Sequence, residues 1–364
     1  MKKAAFLTLV LAVLTASHGA ALATGQRYNR PIPLGVCGSN IKVRCDGLCA
    51  GGTLGSTVKD SSGTQYILSN NHVIGRSNGA QAGDAITQPD CTGKTTDTVA
   101  KFTRFVTLTG GNNYVDAAIA KVVSGKVSTN DNIVNIGSVS GTLGCSVSLP
   151  VEKQGCSTGL TSGTIFSCFS SATTNDPCLG ALNYVQQIVV VNTSPITEGD
   201  SGSLLVSQGP NPQAVGLIFG SIPGGQQTYA NWIGNVLQLT GMSGMAAPTG
   251  AAAPVAQPTP SPLDVEDQAA GQVVALFGPD IMKIPGVWGI QDWLKPDGHI
   301  EIRVDVEQIT PEVQSKIPST LGTSPSFPVE IFVSPPPMED SRGERSCSGQ
   351  TPKKTQPKTA SQHK

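Results

Sequence analysis

From about residue 24 to residue 245 the chain is a series of short apolar runs broken by Gly, Asn, Asp and Ser. The runs at 65–68, 117–123, 187–191 and 214–219 have the length and β-branched content of strands. Turn signals such as Asp60-Ser61-Ser62-Gly63 and Thr109-Gly110-Gly111-Asn112 lie between them. Only residues 233–239 hold a helical period, so this region is expected to be all-β, a barrel or a sandwich. Beyond residue 262 the pattern changes. Residues 265–277 carry helical spacing, 286–294 and 299–306 read as strands, 311–317 as a short helix and 327–333 as a last strand. The turn Lys295-Pro296-Asp297-Gly298 supports a hairpin between the first two of these strands.

The flanks and joints differ in composition. Met1-Lys2-Lys3, an apolar stretch to Leu14 and Ala21-Leu22-Ala23 follow the basic, apolar, small-residue order of a secretory signal spanning residues 1–23. That apolar run is too short to cross a membrane, and none of the others reaches the roughly 18 residues required. Residues 246–262 are an Ala/Pro-rich linker, and 334–364 a polar tail expected to be disordered. The organisation expected is therefore a β-rich domain at 24–245, the linker, and a small α/β domain at 263–333. The location expected is outside the cytoplasm, secreted or periplasmic.

Loss of Lys2 and Lys3 with the signal takes the formal net charge from −1 to −3, and nothing in that balance suggests nucleic acid or an anionic membrane as a partner. Of nine cysteines, Cys37, Cys45, Cys49, Cys91, Cys145, Cys156, Cys168 and Cys178 fall in the β-rich region. In an oxidising compartment disulfides are their default state, with the pairing open. No C-x-x-C pair occurs, which argues against zinc; neither metal nor cofactor is expected. Cys347 stands alone in the tail, a free or intermolecular thiol.

Three local patterns carry chemistry. Ser201 lies in Glu198-Gly199-Asp200-Ser201-Gly202-Ser203, where glycine two residues earlier lets the backbone turn. The N–H groups of Gly199 and Ser201 would then face one spot and serve as oxyanion donors. Ser203 replaces the second glycine of a G-x-S-x-G elbow, so the α/β-hydrolase motif is absent. His72, in Ser69-Asn70-Asn71-His72-Val73, is the only imidazole of the β-rich region. Asp116, in Tyr114-Val115-Asp116-Ala117-Ala118-Ile119, heads an apolar strand, and a buried carboxylate there needs a partner such as an imidazole N–H. Singly, each has a plainer reading: a surface turn, a packed histidine, a solvated aspartate.

Together, Asn-His-Val after a strand, Val-Asp-Ala-Ala-Ile-Ala and Gly-Asp-Ser-Gly-Ser resemble the chymotrypsin-like serine peptidases, and more specifically bacterial trypsin-like peptidases. Supporting motifs are Gly51-Gly52-Thr53-Leu54-Gly55, Gly159-Leu160-Thr161-Ser162-Gly163 and Ala214-Val215-Gly216-Leu217-Ile218-Phe219, and the resemblance covers about residues 45–240. It implies two six-stranded antiparallel β-barrels with the site between them, followed by the small α/β domain. It further implies His72 as general base and acid, Asp116 as its orienting group, Ser201 as nucleophile, and protein or peptide substrates. The substrate pocket would involve Pro195 as its floor, Ile218, and Ser221 on the strand that pairs with substrate. With neither an acid at Pro195 nor a His at Ile218, a neutral P1 residue is expected. No apolar new N-terminus of the animal-trypsin kind is evident, so Asp200 is expected to be satisfied internally. The rival readings are a catalytically silent barrel that binds through its cleft, and a chain whose working part is the C-terminal region with Trp288, Trp293 and His299. Oligomeric state is left open.

Overall fold

The computed structural model describes residues 26–43, 51–222, 225–247, 260–295 and 297–334. The signal segment, the tail, most of the linker, and Cys45, Cys49 and Cys347 lie outside these residues.

The first strands are β1 (Val36–Asn40), β2 (Gly52–Leu54), β3 (Ser56–Lys59), β4 (Gln65–Ser69), β5 (Ala85–Thr87), β6 (Thr98–Phe105), β7 (Asn112–Asn113) and β8 (Ala118–Val122). β2 and β3 form one strand interrupted at Gly55. β2 pairs with β1 and β3 with β4, so the order β3-β4-β8-β6-β5-β1-β2 closes on itself as a six-stranded antiparallel barrel. Its core gathers Leu54, Ile67, Leu68, Ile86 and Ile119, all fully buried. The break needs glycine, because a Cβ on Gly55 would stand 2.0 Å from the carbonyl oxygen of Gly202, where the two barrels meet.

A ribbon of β9 (Asn132–Ile133) and β10 (Gly137–Ser138) leads to the second barrel. Its strands are β11 (Pro150–Gly155), β12 (Gly159–Asp176), β13 (Gly180–Asn192), β14 (Leu204–Ser207), β15 (Ala214–Ser221) and β16 (Gln227–Trp232). The order β12-β11-β14-β15-β16-β13 closes through a β12–β13 pairing, again six strands. Register shifts between Ile165 and Ala172 bend β12, as bulges do, and carry its far half beyond the barrel. Cys37–Cys156 ties the first barrel to the second, and Cys145–Cys168 lies within the second. Cys91 and Cys178 are also disulfide-bonded. The two barrels expected from the resemblance are thus present, each closed by its own pairings.

Helix α1 (Ile233–Thr240) ends in a left-handed Gly241, and β17 (Gly244–Met245) returns the chain to β3. Ala246 is fully buried and its N–H donates to the Thr57 carbonyl at 2.9 Å. The expected linker boundary at 246 therefore moves outward, because the last backbone bond of the barrel reaches past Met245. At its other end Pro262 is already helical. Ser261 and Asp264 form a reciprocal capping box that starts α2 (Pro262–Ile281).

β18 (Val287–Leu294), β19 (Ile300–Val306), α3 (Pro311–Lys316), β20 (Thr320–Leu321) and β21 (Phe327–Val333) complete the C-terminal region. β19 and β21 are parallel, and α2 and α3 contribute Val274, Ile281 and Val313 to a core with Ile290, Ile302 and Val304. Composition alone suggests a separate unit here, yet β18 pairs with β12 at Ser171↔Ile290 and Ala172↔Gly289. The far half of β12 thereby extends the barrel sheet into the C-terminal sheet. Gly271 of α2 lies so near Phe169 of β12 that a Cβ would stand 2.3 Å from the ring. Among the described residues no helix is long and apolar enough to cross a membrane.

Candidate active site

His72 sits in a single wide helical turn, Asn71–Gly75, directly after β4. The turn is held by the acid it presents. Asp116 Oδ1 accepts the backbone N–H of Asn71 at 2.7 Å and of His72 at 3.2 Å, while Oδ2 lies 2.5 Å from His72 Nδ1. Asn70 Nδ2 donates to the Asp116 carbonyl at 2.6 Å, so the segments carrying base and acid are bolted together on both sides. Both residues are buried, Asp116 fully and His72 to 2% exposure. A carboxylate so placed gains from each of these donors and fixes the imidazole's ring plane. With Nδ1 carrying the proton toward Asp116, Nε2 is the basic nitrogen.

The second barrel also grips Asp116. Asn231 of β16 accepts the Asp116 N–H at 3.0 Å and is itself oriented by donating to Gln187 at 2.7 Å. The Tyr184 hydroxyl of β13 approaches Asp116 Oδ2 at 3.5 Å, and its ring packs on Phe219 with centroids 4.5 Å apart. Neither Asn231 nor Tyr184 stands out in the sequence. Each sits in an apolar strand pattern where its register against the other barrel cannot be read.

Ser201 stands on the glycine-flanked turn between the barrels, 6% exposed. Gly199 and Gly202 both have φ of +91°, a region that favours glycine. Space adds a second reason at each. A Cβ on Gly199 would lie 2.3 Å from Ser157 Oγ, and one on Gly202 would lie 2.3 Å from the Thr53 carbonyl. The Ser201 carbonyl accepts the Thr53 N–H at 2.8 Å, and Thr53 Oγ1 donates to the Gly199 carbonyl at 2.9 Å. β2 thus docks the turn onto the first barrel. Gly52, next to Thr53, is pressed between Val73, the residue after His72, and the Ser201 carbonyl. Ser201 and the His72 turn therefore flank the same strand. Ser201 Oγ donates to the Phe219 carbonyl at 3.3 Å.

Asp200, fully buried beside Ser201, anchors the turn. Its carboxylate accepts from the N–H groups of Ser157 and Thr158 at 3.1 Å each, from Thr158 Oγ1 at 2.6 Å and from the Thr197 N–H at 3.3 Å. Lys153 of β11 brings its Nζ to 3.2 Å. The Lys153 ammonium is itself buried. Desolvation pulls its pKa below the usual lysine value, and Asp200 opposes that shift. The internal partner expected for Asp200 is present. Sequence reasoning had no means of naming Lys153, which is far along the chain and sits in a strand whose neighbours alternate in polarity.

The pocket residues fall differently. Pro195 is exposed, whereas Ile196 is buried to 3% and its N–H donates to the Gly225 carbonyl at 3.1 Å. The buried apolar group at this corner is Ile196. Ile218 packs in the second barrel's core, and its backbone bonds Gly202 and Ser203, so it supports the Ser201 turn from beneath. Ser221 is half-buried at the end of β15, opposite Thr228.

No family model matches the chain, and no curated protein does so. Among solved structures it is similar to the Nocardiopsis protease NAPase, with 20% identity over 59% of this chain and 98% of that one and a TM-score of 0.42. It is similar to Thermobifida fusca protease A, with 17% identity, 59% and 98% coverage and a TM-score of 0.40. A glutamic acid specific serine protease gives 16% identity, 58% and 98% coverage and a TM-score of 0.42. Likenesses this distant leave the geometry of the site as the ground for function.

Proposed function

We propose that the chain is an exported serine endopeptidase working through His72, Asp116 and Ser201. The observation that carries the reading is the Asp116 carboxylate, buried, bonded to two N–H groups of the histidine turn and 2.5 Å from His72 Nδ1. An acid held in that way has one evident chemical use, which is to keep a neighbouring imidazole oriented and to stabilise it when protonated. The second support is a serine on a turn that two positive-φ glycines and a five-donor aspartate hold rigid between the barrels.

In the mechanism, Ser201 Oγ leaves its bond to the Phe219 carbonyl and attacks the scissile carbonyl carbon. His72 Nε2 takes the hydroxyl proton, and Asp116 balances the imidazolium through Nδ1–H. The carbonyl oxygen, now an oxyanion, is received by the N–H groups of Gly199 and Ser201. His72 returns the proton to the leaving amine, an acyl-enzyme forms on Ser201, and water repeats the cycle in reverse. Substrate backbone would pair along β15 toward Ser221. A neutral P1 side chain is favoured, since Ile196 offers an apolar wall and Pro195 brings no acid to meet a Lys or Arg.

A fluorophosphonate probe tests this reading. Disulfide-intact protein should be labelled at Ser201 and should hydrolyse peptides with Leu, Phe or Ala at P1, while Ser201→Ala should do neither. A folded protein that neither labels nor cleaves would leave the silent, peptide-binding barrel in its place.

A further inference from the structure

Two carboxyl groups that the proposed chemistry does not use meet where the C-terminal region docks on the second barrel. Asp267 projects from α2 and Asp292 from β18, and they are 2% and 0% exposed. Asp267 Oδ1 and both carboxyl oxygens of Asp292 have no donor in bonding geometry. The groups bordering them are Ser167 and the backbone of Cys168 and Phe169 on β12, with Asp264 one turn earlier on α2. Cys168 is locked in its disulfide. Among the described residues no cation pairs with either acid. Lys295, just past the end of β18, is engaged by Glu301 and Glu330, and Arg303 by Asp305. Two like charges cannot both be kept at such a place, so the docked state must hold a proton on the pair.

We propose that Asp267 and Asp292 form a proton-dependent latch, closed while they share a proton, which holds α2 and β18 on β12 and loosens as pH rises. Burial raises the pKa of both groups above the ordinary carboxylate range; at Asp267 the charge of Asp292 adds to the rise, while at Asp292 the hydrogen bond with Asp267 opposes it. The sign follows. Undocked, both acids lose their protons above about pH 4, whereas docked they retain at least one. The docked state therefore binds more protons, and each pH unit above that point weakens docking about tenfold per proton retained. Asp264 acts in the opposite sense and only in acid. Its burial is outweighed by bonds from Ser146 and Ser261, so its pKa is lowered and it is ionised in both states above pH 5. The latch has a place to act. A cleft of about 270 Å³ lies between α2, at Gly271, Val274 and Gly278, and the segment Asn112–Tyr114 that leads to Asp116. Opening the latch would widen that cleft.

Backbone hydrogen exchange tests the latch in the full chain carrying Ser201→Ala, which prevents self-digestion. Opening constants are read at pH 5, 6 and 7 with the intrinsic exchange rates divided out. Amides of α2 and β18 should open about tenfold more per pH unit, while those of β4 and β8 stay level. Asp292→Asn, which carries its hydrogens at every pH, should flatten that slope. If Asp292→Asn does not fold, Asp267→Asn makes the same test from the other side. A level profile in the chain with both acids, or a slope that survives the substitution, would overturn the proposal.

Discussion

Replacing Lys153 by Met would leave the Asp200 carboxylate in the protein interior without its cation. At 3.2 Å and an effective dielectric constant near 20, the pair's attraction is about 5 kcal/mol. Four other donors remain on Asp200, from Ser157, Thr158 (two) and Thr197, so part of the anion's stabilisation persists. Removing one partner of a buried pair ordinarily costs about 3–5 kcal/mol, and the lower half of that range is expected here. The loss is not confined to stability. Asp200 sits between Gly199 and Ser201, the two proposed oxyanion donors, so a shifted carboxylate misaligns both. Urea unfolding of the Ser201→Ala background with and without Lys153→Met gives the stability term, and turnover of a neutral-P1 peptide by Lys153→Met with Ser201 intact gives the catalytic one. We expect kcat to fall more than KM rises. Adding Asp200→Asn should restore most of the stability, since no unpaired charge then remains, but not the turnover. A Lys153→Met protein within about 0.5 kcal/mol of the parent and equally active would refute the reasoning, placing the anchoring wholly in the backbone donors.

Asp116→Asn should lower turnover on the order of 10⁴-fold, the cost established for the equivalent change in a chymotrypsin-type triad, because the amide stabilises the wrong imidazole tautomer. Steady-state kinetics on the same peptide checks it, with the fold verified by circular dichroism. Asp131 offers a pH test independent of activity. It is fully buried, and burial lifts its carboxyl to about 6 against the bonds from Thr57 and Ser56. With the folded pKa above the unfolded one, its contribution to stability is greatest below about pH 4 and falls away as pH rises to 6. Asp131→Asn, which tolerates the residue's φ of +48°, should remove that part of the slope from denaturation curves taken between pH 4 and 7. A slope unchanged in the variant would mean that Asp131 is ionised throughout that range.

The residues proposed to act were legible before the fold because their signals are local. A strand followed by Asn-His, an acid opening an apolar strand and a serine between glycines each encode their own backbone. Gly199, expected to let the backbone turn, has a φ of +91°. The elements of the C-terminal region were legible for the same reason, since helical spacing, the 295–298 turn and strand content are properties of neighbours in sequence. The cysteine clustering likewise pointed to disulfides in the β-rich region, although the cross-barrel reach of Cys37–Cys156 did not follow from it.

What the sequence by itself determined is the pattern of faces and turns, and with it the three residues proposed to act. Only tertiary structure decided which distant side chain answers each buried charge. Lys153 meets Asp200, and Asn231 meets Asp116, because two barrels close at particular registers, and a register is a sum over many pairings rather than a property of any one strand. The same holds where expectation and structure part. β18 joins β12 because a bulged strand overruns its barrel and leaves an edge whose N–H and C=O groups need partners, a demand that no composition profile records.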